Sequence, residues 1–223
     1  ITMGAGTRTT GSDKSSLGFG AEEGYQGVSA GDLYREISGM DLPPRAVVNL
    51  GFVQAVRNNR KRSYTVTIGA LGTALREAGY RAAVIGNCDT PYEYHRYLVS
   101  FLMDDQGIIP DGSVDRSFLV EDHGRPFGIR TDYDVLYDRA KELWDTSDLI
   151  AIQLGDTSRA EDFRYEATDA MNEQYKQTAI EESDVFIGRL TEMLDLSKDL
   201  VLLVTPLGPA GDLEENNRLT PAV

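Results

Sequence analysis

The side chains able to do chemistry are few and scattered. Asp156 follows the apolar run Leu149-Ile-Ala-Ile-Gln-Leu154 and Gly155, so it stands where a buried strand of an open α/β sheet presents ligand groups. Asp122-His123-Gly124 follows Ser117-Phe-Leu-Val-Glu121 and puts a carboxylate beside an imidazole, two types that hold divalent cations. Asn87-Cys88-Asp89 closes another apolar run, and His95 lies shortly after it. His95 and His123 are the only histidines and Cys88 the only cysteine, which excludes an internal disulfide and a Cys-rich zinc site. No histidine is evidently paired with Cys88, so the thiol reads as a small buried residue rather than a nucleophile. Gly4-Ala-Gly6-Thr7-Arg8 has the glycines of a phosphate-cradling turn but not the Lys-Ser/Thr of a P-loop. Arg57-Asn-Asn-Arg-Lys-Arg62 is a cationic run, suited to an anionic partner or lipid headgroups, or to a solvated loop balancing an acidic chain.

Composition narrows the classes. The 36 acidic residues outnumber 22 basic ones, and a formal net charge of -14 repels a phosphate backbone, so nucleic acid is not an expected partner. No stretch reaches the roughly 18 apolar residues of a membrane-spanning helix. The 223 residues suit a single α/β domain with a loop-rich part over 1–45 and a core over 46–223. The first 31 residues carry eight of the 22 glycines and no sustained period. Ile1 is not an initiator methionine, and the chain reads as a segment of a longer protein.

The elements that must position the candidates follow from periodicity. Ile68, Leu71, Leu75 and Ala78 predict a helix capped by Thr67 and ended by Gly79. Tyr80 to Gly86 then predicts a buried strand. Thr90-Pro-Tyr-Glu93 reads as a capping box opening a helix with Tyr94, Tyr97, Leu98, Phe101 and Leu102 inside. Residues 104–130 read as a loop, and Thr131 begins a helix with Tyr133, Leu136, Tyr137, Ala140, Leu143 and Trp144 on one side. Leu149 to Leu154 is a second strand, a long helix carries Met171 to Leu194, and Leu200-Val-Leu-Leu-Val204 is a third strand. The stretch from Val47 to Val56 is apolar in a way that fits helix or strand. Strands alternating with helices predict parallel pairing.

Thr67 to Asn87, Asp148 to Asp156, Tyr175 to Leu194 and Leu200 to Val204, in that order, resemble segments of the alkaline phosphatase superfamily, which includes sulfatases and cofactor-independent phosphoglycerate mutases. The resemblance implies a three-layer sandwich, with a mostly parallel central sheet flanked by helices and Asp156 at a metal-binding position. It also implies two cations and a Ser or Thr nucleophile at a helix N-terminus. Here the pattern breaks. No strand-aspartate-nucleophile segment precedes Thr67, Thr157-Ser-Arg-Ala160 stands where a histidine is required, and Thr205-Pro follows Val204 in place of Asp-His.

The expectation is therefore a divergent, non-catalytic domain of a larger bacterial protein, on the extracytoplasmic side of a membrane. It would bind or scaffold a cell-envelope component, or membrane segments of its parent, with no cofactor. The alternative is a phosphomonoester or sulfate ester hydrolase using zinc or manganese at Asp156, Asp122 and His123, with Thr7 or an upstream residue as nucleophile.

Overall fold

The computed structural model describes residues 1–60 and 62–205. They divide into two compact units, one spanning Ile1–Gly155 and the other beginning at Asp156. In chain order the first holds α1 (Thr2–Ala5), β1 (Gly18–Gly20), β2 (Gly24–Tyr25), β3 (Val28–Ser29), α2 (Ala30–Ser38), β4 (Val47–Asn49), α3 (Phe52–Asn59), α4 (Ala70–Glu77) and β5 (Ala82–Gly86). It continues with α5 (Tyr97–Leu102), β6 (Ile108–Ile109), β7 (Asp111–Ser113), β8 (Leu119–Glu121), β9 (Ile129–Thr131), α6 (Tyr133–Trp144) and β10 (Leu149–Gln153). The second unit holds α7 (Asp156–Asp162) and α8 (Asp169–Thr191).

The fold is mixed α/β. A parallel sheet in the order β10-β5-β7 pairs Leu149 with Ala82, Gln153 with Gly86, and Val84 with Gly112. An antiparallel sheet in the order β1-β4-β6 pairs Phe19 with Val48 and Val47 with Ile109. Two further hairpins, β2-β3 and β8-β9, complete the pairing among the described residues. Every residue of β5 is buried, as expected of a central parallel strand. Helix α6 presents Leu136, Ala140 and Leu143 at helical spacing, packs on β5 and β10, and is capped by the Asp132 carboxylate, which accepts from the Asp134 and Val135 amides. Val47, Val84, Val99, Leu102, Met103 and Ile109 form the main core, where each fully buried aliphatic side chain contributes about 1.5–3 kcal/mol.

Several sequence expectations are corrected. The stretch from Val47 to Val56 is both a strand and a helix, divided at Leu50-Gly51. Helix α4 starts at Ala70 rather than at a Thr67 cap, because Gly69 takes a left-handed backbone (φ 80°). The loop-rich N-terminal part contributes β1, whose Phe19 is fully buried, and α2. The 104–130 region contains four short strands rather than one long loop. Leu200 to Val204 is not a strand: only Val204 forms a bridge, and Leu200 is 81% exposed. Residues 206–223 lie outside the described part.

The second unit is held by polar as well as apolar contacts. Phe163 and Tyr175 meet edge to face at 6.1 Å between α7's C-terminal turn and α8, and Lys176 Nζ reaches Glu161 at 2.6 Å. Among the described residues no helix is long and apolar enough to cross a membrane.

Candidate functional site

The polar groups of the first unit converge at the carboxyl end of β5. Gly86 makes the exit turn at φ 83°, where a side chain would run into the Gln153 carbonyl. The Asn87 amide then donates to the carbonyls of Val114 and Asp115 at 3.1 and 2.7 Å, and its oxygen accepts from the Asp89 amide at 3.0 Å. Cys88 is buried, its backbone N–H bonded to the His95 carbonyl and its sulfur 2.9 Å from the Gln153 side-chain nitrogen. The same Gln153 nitrogen donates to the His95 carbonyl, and the Gln153 oxygen accepts from the Leu98 amide.

This network displaces the predicted helix start. Thr90 Oγ1 does accept from the Tyr92 and Glu93 amides, as a capping threonine would. The Asp89 carboxylate, however, takes the His95 amide at 2.9 Å, residues 93–96 stay outside regular structure, and α5 begins only at Tyr97.

At the centre is Arg96, which has no solvent exposure. Its guanidinium donates to Asp89 at 2.8 Å, to both oxygens of Glu23 at 2.7 and 2.8 Å, and to the Gly18 carbonyl at 2.8 Å. The rings of Phe19 and Tyr94 sit 4.8 and 4.9 Å from its central carbon. Burial disfavours the charge, but hydrogen bonds to Glu23 and Asp89 and the attraction of both carboxylates outweigh it and raise the pKa above the ordinary arginine value. A cavity of about 400 Å³ opens beside Glu23, lined in part by Glu22, Arg45, Ser113 and Asp115.

The residues named from sequence are dispersed. Asp156 is the first residue of α7, buried, and accepts from Arg159 Nη2 at 2.8 Å; Arg159 is itself fully buried. Asp122 and His123 lie in the loop of the β8-β9 hairpin. There the Asp122 carboxylate accepts from the Gly124 amide at 3.0 Å and lies 3.4 Å from the Nε atoms of both Arg125 and Arg130. The Gly124 amide, then the two arginines, hold its carboxyl below the usual range despite some desolvation. His123 is exposed. His95 Nε2 pairs with Glu93 at 3.0 Å, and its ring stacks on Tyr97. Thr7 follows the Gly6 cap of the single-turn helix α1.

Among the described residues, no group of three or more His, Cys, Asp or Glu side chains is placed to hold a metal ion. The donor set does not fit a two-cation centre, since the strand-end carboxylate expected to bind one is already bonded to an arginine.

Sequence reasoning passed over Arg96, Glu23 and Arg159. Arg159 had a legible signal, an acid and an arginine three apart at a helix start. Glu23 and Arg96 are 73 residues apart and carry no local signal. Compared with protein-family profiles, curated proteins and solved structures, the chain matches none. The functional reading therefore rests on residues and geometry.

Proposed function

We propose that this chain is a divergent, non-catalytic domain of alkaline phosphatase-like three-layer architecture that binds or scaffolds a cell-envelope component for a larger bacterial protein on the extracytoplasmic side of a membrane. The architectural part is supported by the parallel β5-β10 pair, by α5 and α6 packed on it, and by the turn into Asp156 directly after β10. One observation carries the non-catalytic part: the Asp156 carboxylate is neutralised from within by the buried Arg159 guanidinium. A cation would have to displace a bonded arginine, and separating a buried pair of charges costs several kcal/mol.

The test pairs metal content with turnover. The purified chain, dialysed against zinc and manganese and then against buffer, is expected to retain neither ion and to leave an aryl phosphate and an aryl sulfate intact. Stoichiometric retention, with hydrolysis that falls in Asp156→Ala, would replace this reading by the metal-dependent hydrolase.

A further inference from the structure

The cationic run at the end of α3 has a counterpart that the sequence alone does not reveal. Residues 1–12 and 42–76 contain no aspartate or glutamate, although the whole chain carries a net charge of -14. The fold brings parts of these two acid-free segments together. The Asn59 side chain, buried at the end of α3, accepts from the Thr10 amide at 2.8 Å and donates to the Thr10 carbonyl at 2.9 Å. The Tyr64 hydroxyl donates to the Arg8 carbonyl at 2.9 Å, and the hydroxyls of Thr2 and Thr9 are 2.9 Å apart.

Arg8 and Arg62 flank this junction, Arg57 and Arg60 lie three residues apart at the end of α3, and all four are exposed. Among the described residues no carboxylate lies within ion-pair distance of any of them, whereas Arg35, Arg45, Arg76, Arg96, Arg139, Arg159 and Arg164 all have one. The α3 macrodipole explains a cation at Arg57, in its last turn, but not Arg62 or Arg8, which lie outside the helix. The same two segments expose two apolar side chains, Met3 at 48% and Tyr64 at 40%.

We propose that this junction docks on an anionic lipid surface, with the guanidinium groups on headgroup phosphates and Tyr64 and Met3 at the headgroup boundary. Uncompensated arginines grouped together are the electrostatic requirement for such contact. Aromatic and apolar side chains beside them are the interfacial requirement. A nucleic-acid strand fits less well: a single exposed tyrosine makes no stacking platform, and a strand running beyond the patch meets an acidic surface. The proposal does not depend on the alkaline phosphatase-like reading, and its test leaves that reading untouched.

The experiment is co-sedimentation of the full chain with vesicles of phosphatidylcholine alone and of phosphatidylcholine mixed with phosphatidylglycerol. Binding is expected only to the mixed vesicles, weakening as salt is raised, and falling about fivefold for each arginine removed in Arg57→Gln and Arg60→Gln. Arg62→Gln and Arg8→Gln lie outside the helices and repeat the test should the α3 variants unfold; Arg81→Gln with Lys141→Gln is the charge-matched control and retains binding. Equal binding to neutral vesicles, no binding to either, or equal loss in the control overturns the proposal. So does salt-sensitive binding to a single-stranded oligonucleotide without vesicle association.

Discussion

Asp89 and Asp122 are the same residue type in the same unit, yet they live under opposite physical rules. Asp89 is fully buried and shares the guanidinium of Arg96 with Glu23, so the three charges depend on one another. Asp122 sits in a hairpin loop, 33% exposed, where its carboxylate accepts from the Gly124 amide and two partly buried arginines lie 3.4 Å away. Removing a partner from a dry network leaves an unsolvated charge, whereas removing one from a wet loop lets water take its place. The weight of an ionisable residue here comes from enclosure and not from the string of letters around it. Asp-His-Gly, the string with the strongest chemical look, occupies the wet site.

The contrast can be broken most directly at Arg96. Arg96→Met removes the guanidinium that two carboxylates share and is expected to cost about 3–5 kcal/mol in urea unfolding; a loss under 1 kcal/mol would remove the distinction between the two sites. Next comes the entry to the buried network. Gly86→Ala forces a side chain into a left-handed backbone against the Gln153 carbonyl, with an expected loss of about 1–3 kcal/mol by the same assay.

Acid titration extends the comparison to the second unit. Burial opposes the Glu161 charge, but hydrogen bonds to Lys176 and Arg164 and their charges prevail and hold its pKa below the ordinary 4.5. A depressed carboxylate contributes stability that is present above 4.5 and is lost as pH falls through the folded value. Stability should therefore drop below pH 4.5, and Glu161→Gln should flatten that drop. Identical pH slopes for both proteins would count against the pairing. The smallest effect belongs to the wet loop: Asp122→Asn is expected to lower the unfolding midpoint only slightly, and a shift as large as that of Arg96→Met would erase the contrast.

The parts of the fold that were legible are those whose burial repeats at a fixed period. Leu136, Ala140 and Leu143 mark α6, and the branched residues of β5 and β10 mark a buried parallel pair. Elements of two or three residues carry no period, which is why β1, β6 and β7 hide in stretches that read as loop. Leu200 to Val204 shows the reverse error, an apolar run that is exposed and unpaired apart from Val204, because a strand needs a ladder as well as side chains that suit one. The Thr90 cap was recognised in its chemistry but not in its outcome, since Asp89 competes for the His95 amide and holds the chain out of a helix. At the candidate site, the position of Asp156 after an apolar strand could be read locally, and Arg159 could have been. The union of Glu23, Asp89 and Arg96 exists only once the chain has folded.

The measurement that bears most directly on the account is a crystal structure of the chain soaked in zinc or manganese, with anomalous scattering recorded at the metal edge. The account predicts no anomalous peak at Asp156 and the Arg159 guanidinium still bonded to its carboxylate. A metal ion bound to Asp156, with Arg159 swung away, would contradict it.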